Sequence, residues 1–265
     1  MTKLVTTRVE GTIAQVRLSR PDKLNALTLD TLTELVATAK RLRRDRTLRA
    51  VVLAGDGDSF CSGLDIPQVM KTPRRIVGAF IPVPWRGTNV FQEAAWAWRR
   101  IPVPVISAVH GHCYGGGLQI ALGADFRFAT PDSKWSVLEG KWGIIPDMTG
   151  VRTLSEVVGL DVAKRLTMTA EQLSGTEAAR LGLVTEVHDD PVAAATAFAQ
   201  RLATRSPDAV AAAKRLLDGA VTGSARRTFA RERREQIRLL LLPNTKIAQR
   251  AARSKTAPDY RPRAR

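Results

Sequence analysis

The chain has 265 residues, of which 44% are hydrophobic, 25% charged and 5% aromatic, enough for one large domain or a domain with a small appendage. That apolar content excludes a disordered chain, and no apolar run approaches the ~20 residues of a membrane-spanning helix. Lys and Arg number 41 against 25 Asp and Glu, a net charge of +16; this suits a polyanionic partner or, equally, an arginine-rich solvated surface.

Met1–Glu10 carries no apolar core or small-residue cleavage pattern, so no secretory signal is expected there. Cys61 and Cys113 have no paired-cysteine spacing, which suits a reduced, cytoplasmic protein. Val5–Val9 and Thr12–Leu18 are β-rich runs around Glu10-Gly11, the pattern of a hairpin. Leu32, Leu35, Val36, Ala39 and Leu42 recur at helical spacing, with Thr28 or Asp30 as the cap. Ala50–Ala54 is a short apolar strand. Thr72–Thr88, broken by Pro73, Gly78, Pro82, Pro84 and Gly87, is expected to be irregular before a helix over Asn89–Arg99.

Val105–Val109, Asp125–Ala129 and Leu183–Val187 read as further strands, and a helix opens in Gly115–Gly123. Strands alternating with helices predict an α/β core over residues 1–200. After Pro191 the pattern is wholly helical, giving a C-terminal helical region over 201–265, and Ala225, Phe229, Ile237 and Leu240 share one face there. From Ser224 to Arg265 there are 13 basic and three acidic residues, a net of +10.

Two glycine-rich loops follow adjacent strands: Asp56–Asp65 and His110–Gln119. Glycine lets backbone approach a ligand closely, and amides freed at a helix start can hold a phosphate or a developing oxyanion. Neither loop has dinucleotide-fold or P-loop order, and no Gly-x-Ser-x-Gly elbow occurs. His110 and His112 point apart on a turn with no further ligand cluster, so no metal is expected. Glu139 and Asp147 lie among apolar neighbours beside Trp142, where desolvation would raise a carboxyl pKa toward neutrality. The plainer alternatives pair Glu139 with Lys141 or Lys134 and make Asp147 the cap of a helix near Thr149.

Together, Arg20–Leu27, Phe60–Asp65, His110–Gln119, Glu139–Pro146 and Ser174–Val184 resemble the enoyl-CoA hydratase/isomerase, or crotonase, family. The resemblance implies an α/β spiral of ββα units with a helical C-terminal trimerisation region, a homotrimer or dimer of trimers, and an acyl-CoA thioester as substrate. Coenzyme A is then part of the substrate and no separate cofactor is implied. It also implies an oxyanion hole from the amides of Leu64 and Gly116. Lys23, Leu24, Ala26, Ser62, Gly63, Asp65 and Ile66 would meet the coenzyme, and Met70 and Phe80 the acyl chain. Trp85, Phe91, Trp96 and Trp98 could also face the acyl group, although core packing suits Trp96 and Trp98 better.

Water-adding members pair two glutamates; here Glu139 stands at the second position and Gln119 at the first. Asp147 instead resembles the acid–base partner of 3,5-dienoyl-CoA isomerases. Double-bond isomerisation by Glu139 and Asp147, with Gln119 as a hydrogen-bonding orienter, is therefore expected over hydration by Glu139 with Gln119 orienting water. A non-catalytic or RNA-binding relative is the reading of another class. Retention of Glu139 argues against the first, and the scarcity of aromatics among the C-terminal charges argues against nucleic acid.

Overall fold

The structure is a computed structural model that describes residues 3–264. Met1 and Thr2 of the amino-terminal stretch and Arg265 of the basic end lie outside the described residues. The expected hairpin is present: β1 (Val5–Glu10) pairs antiparallel with β2 (Ile13–Leu18). Helix α1 (Leu29–Arg44) is capped by Thr28, whose side chain accepts from the Thr31 amide, while Asp30 pairs with Arg75. Next come β3 (Ala50–Gly55), α2 (Ile66–Met70), α3 (Pro73–Phe80) and α4 (Val90–Arg99). Helix α3 corrects the expectation of an irregular Thr72–Thr88. Pro73 sits in its first turn, where a missing N–H costs nothing and the fixed φ suits a helix, so it starts the element instead of breaking it.

Strand β4 (Val105–Val109) leads through β5 (His112–Tyr114) into α5 (Gly116–Leu122), then β6 (Phe126–Ala129) and β7 (Lys134–Ser136). Helices α6 (Gly150–Val157) and α7 (Leu160–Thr169) precede β8 (Leu173–Ser174), α8 (Gly175–Arg180) and β9 (Glu186–Val187). The last strand is shorter than the expected Leu183–Val187. The buried Arg127 guanidinium donates to the Leu183 carbonyl at 2.7 Å and holds that stretch in a turn, leaving two residues to pair with β6.

The main sheet runs β1-β2-β3-β4-β6-β9, parallel from β2 onward, and β5-β7-β8 form a second, smaller sheet. Its central strands are covered on both faces, which is why Ala50–Ala54 reads as a continuous apolar run. Val51 and Leu53 face the larger core, with Leu32, Leu35 and the wholly buried Trp98. Ala50, Val52 and Ala54 face the other way, against Ala195 and Ala199 of α9 (Pro191–Ala203). The Trp98 indole donates to the Ala94 carbonyl at 2.9 Å, so this tryptophan is packing, whereas Trp85 is exposed.

Helices α10 (Pro207–Ala220), α11 (Ala225–Leu241) and α12 (Pro243–Ser254) follow. Lys214 of α10 joins them to the sheet: its Nζ lies 2.7 Å from Asp125 Oδ2 and 3.1 Å from the Val103 carbonyl. Phe229, Ile237 and Leu240 of α11 are exposed. Among the described residues no helix is long and apolar enough to cross a membrane.

The Lys214–Asp125 pair is nearly closed to solvent, with only 8% of the lysine side chain accessible. Removing one member strands a buried charge, so Lys214→Ala is expected to lower stability by about 3–5 kcal/mol in denaturant unfolding. Hydrogen exchange should quicken first in Pro207–Ala220.

Candidate active site

Two chain segments meet where the smaller sheet abuts the main one. Cys61 and Cys113 form a parallel bridge: the Cys61 amide donates to the His112 carbonyl at 2.8 Å, and the Tyr114 amide to the Cys61 carbonyl at 3.0 Å. Leu64 bridges Leu27 in the same manner, with Leu27 N donating to Gly63 O (2.8 Å) and Asp65 N to Leu27 O (2.9 Å). In such a bridge the bracketed residue turns its own N–H away from its partner strand. The Leu64 amide therefore faces the opposite side and has no acceptor among the described residues.

Gly115 makes the second amide available. Its φ of +49° bends the chain out of β5 and into α5, so Gly116 N is the first, unsatisfied amide of a helix. The two loops lie together: a β-carbon on Gly63, whose φ is +98°, would stand 3.9 Å from Gly116 N and 3.1 Å from the Tyr114 carbonyl. Met148 and Leu27 line the other side of Gly116.

The Glu139 carboxylate lies over the same glycines. A β-carbon on Gly115 would meet Oε1 at 3.3 Å and Oε2 at 3.7 Å. Glu139 is buried, its Oε1 accepts from Gln119 Nε2 at 2.5 Å, and its Oε2 has no hydrogen-bond partner among the described residues. Neither Lys141 nor Lys134 pairs with it among the described residues. Burial pushes its carboxyl above the ordinary glutamate range, a push opposed by its own backbone amide and by the hydrogen bond from Gln119 and slightly reinforced by the charge of Asp147. Trp142, at 60% exposure, is not the wall that buries it. Asp147 is half-buried and its carboxyl is likewise raised by desolvation. It does not cap α6, which begins at Gly150 after Thr149 without a side-chain cap.

Gln119 is wholly enclosed. Its Oε1 accepts from the Met148 amide at 2.8 Å and the Gly150 amide at 2.9 Å, while Nε2 reaches Glu139. Two backbone donors fix which end of the carboxamide is oxygen.

The other expected site residues fall into two groups. Lys23, Leu24, Ala26 and Ser62 form one patch: Ser62 N donates to Leu24 O at 2.9 Å and Ala26 N to Lys23 O at 2.9 Å. Asp65 pairs with Arg20 at 2.7 Å and caps α2, whose first residue is Ile66. Met70 and Phe80 lie apart from these, exposed on α2 and α3, with Phe80 stacked at 4.8 Å on the buried Phe91. The histidines brace loops: His110 Nε2 meets the Gly57 carbonyl at 2.7 Å and His112 Nδ1 meets Ser59 Oγ at 2.8 Å.

Asn25 is the residue whose role the sequence reading did not separate from its motif. It is buried at a φ of +56°, accepts from Arg20 N, and donates to the carbonyls of Asp56 and Ser59 at 2.8 and 2.7 Å. It thereby ties the Lys23–Ala26 patch to the first glycine loop. The available signal was a small amide in a loop, a type that tolerates the left-handed region and bonds nearby backbone.

Because the folded state raises the pKa of Glu139, the fold binds that proton more tightly than the unfolded chain. This carboxyl therefore costs least stability below its unfolded pKa and most once the pH has risen through its folded value. Glu139→Gln is expected to raise the melting temperature at pH 8 and to confer little or no gain at pH 4, in paired calorimetric scans.

Comparison with known proteins identifies the family. Residues 8–241 match the family model described as enoyl-CoA hydratase/isomerase. The chain is 35% identical over 212 residues to the short-chain-enoyl-CoA hydratase of Clostridium acetobutylicum, spanning 79% of this chain and 78% of that one. It is 31% identical over 216 residues to the mitochondrial Delta(3,5)-Delta(2,4)-dienoyl-CoA isomerase of Rattus norvegicus, spanning 78% and 66%. An enoyl-CoA hydratase crystal structure from Polaromonas sp. JS666 superposes with a TM-score of 0.86 at 27% identity, covering 97% of this chain and 99% of that one. The match through nearly the whole sheet and both glycine loops makes the chain a member of the enoyl-CoA hydratase/isomerase family, with the crotonase fold.

Proposed function

We propose that this enzyme shifts double bonds in an acyl-CoA thioester by paired proton transfer, with Glu139 and Asp147 as the acid and base. The carrying observation is the state of Gln119. Its oxygen is filled by two backbone amides and one of its two N–H groups by Glu139, so a single N–H is left to hold a water. Meanwhile burial raises the pKa of both Glu139 and Asp147, and the charge of Asp147 adds a smaller rise at Glu139. Hydration needs a held water, whereas the proposed isomerisation moves a proton out through one carboxyl group and in through another, in opposite protonation states.

In this reading the Leu64 and Gly116 amides receive the thioester oxygen. One carboxylate removes a proton from carbon and the electron pair spreads along the conjugated chain onto that oxygen. The other, protonated, carboxyl then delivers its proton to the far carbon, and the thioester carbonyl re-forms. The two groups finish with exchanged protonation states and the substrate keeps its mass. Each preorganised amide is worth about 3–4 kcal/mol to the enolate-like state. Coenzyme A arrives as part of the substrate, against Lys23, Leu24, Ala26, Ser62, Gly63, Asp65 and Ile66, with Met70 and Phe80 toward the acyl chain. No separate cofactor enters the reaction.

Ultraviolet turnover of a 3,5-dienoyl thioester is expected to exceed water addition to a 2-enoyl thioester, followed by mass. The reverse order would overturn isomerisation. Glu139→Gln and Asp147→Asn should each slow the isomerisation about 10²–10⁴-fold.

The exposed Phe229, Ile237 and Leu240 stripe of α11 supports assembly as a homotrimer or a dimer of trimers. Light scattering should give three or six times the chain mass of 28.9 kDa, and a monomer at micromolar concentration would exclude this.

A further inference from the structure

Glu139 has two chemically different oxygens in this fold. Oε1 takes the Gln119 N–H at 2.5 Å, while Oε2 is buried with no hydrogen-bond partner among the described residues. The Gln119 carboxamide cannot turn, because a flipped amide would set its NH₂ against the Met148 and Gly150 amides that now donate to its oxygen. Those two amides lie one and three residues after Asp147, the second at the first residue of α6. One buried side chain thus touches the first carboxyl and holds the loop that carries the second.

We infer that Gln119 is a positioning residue that reserves Oε2 of Glu139 as the proton-handling atom and, by gripping Met148 N and Gly150 N, sets the place of Asp147 relative to it. This deepens the isomerase reading and rests on it for the identity of the reaction, though not for the geometry.

The chemistry follows from what an amide can and cannot do. As a donor to Oε1 it favours the ionised form of Glu139 against the burial that disfavours it, so Glu139 can alternate between states. As a group that does not titrate near neutrality, it takes no proton from the pair. A carboxyl in its place would bring a second acid to 2.5 Å from Oε1, and two carboxylates at that separation must share one proton. Besides burial and its own backbone amide, Gln119 and Asp147 are the groups that act on Glu139, and Gln119 is the larger of the two, so the pH dependence of the site should respond to this side chain.

Two variants test the inference. Gln119→Met keeps the volume and removes both kinds of hydrogen bond; Gln119→Glu keeps the acceptor for Met148 N and Gly150 N and replaces the amide donor with a proton shared with Glu139. In Gln119→Met, kcat on the dienoyl thioester should fall at least about tenfold with KM within about twofold, and the acidic limb of kcat/KM should move to higher pH. In Gln119→Glu, the same limb should also move up, while melting stays closer to wild type than in Gln119→Met. Independently of any substrate, the infrared carboxyl band of Glu139, assigned by its loss in Glu139→Gln, should titrate at higher pH in both variants. An unmoved infrared titration in folded variants would overturn the inference. So would loss of kcat with an unmoved acidic limb, which is the mark of a merely structural residue. If the wild type fails to isomerise the dienoyl thioester while the infrared shift is present, the reaction assignment falls and the positioning role stands.

Discussion

The site depends on one register: Cys61 opposite Cys113 in a parallel bridge between the ends of two loops. Shifting it by one residue would turn every side chain in the pair to the other face and carry Gly63 away from Gly116. The remaining parts act on that register from outside. Asn25 pins the first loop to the preceding turn, the two histidines brace its glycine-rich entrance, and Gly115 redirects the second loop into α5. The main sheet, closed on both faces, supplies the rigid base from which both loops leave.

That rigidity is directed at groups that weaken the fold. A buried carboxyl with an empty oxygen and a neighbouring half-buried acid are local liabilities. They persist because Gln119, two backbone amides and the packing of Met148 over Gly116 hold them in place. The site thus joins two free backbone amides to acids whose carboxyl pKa values burial has raised.

The strands of the sheet were legible because local pattern and burial agree: Ala50–Ala54 is apolar throughout, Val105–Val109 is apolar but for Ser107, and both lie wholly inside. Helix α3 was not, because a proline inside a first turn and a proline that ends a helix look alike in sequence and differ only in where the chain has come from. The far strand was overextended because Arg127, nearly sixty residues away in the chain, sets where it begins. The carboxyl pair and the glycine loops could be named from residue types, and the resemblance to a family gave them roles. What no local pattern carries is the Gln119 network. It joins residues 119, 139, 148 and 150 through atoms that meet only after the fold has closed.

Cys61 and Cys113 sit inside that closed junction with no exposed surface, and burial pushes the Cys61 thiol up to about 12. Reagents that attack thiolates therefore find nothing to modify while the bridge is shut. Their slow incorporation would act as a clock for transient opening between the two loops, reporting how often this junction breathes without any residue being introduced to report it.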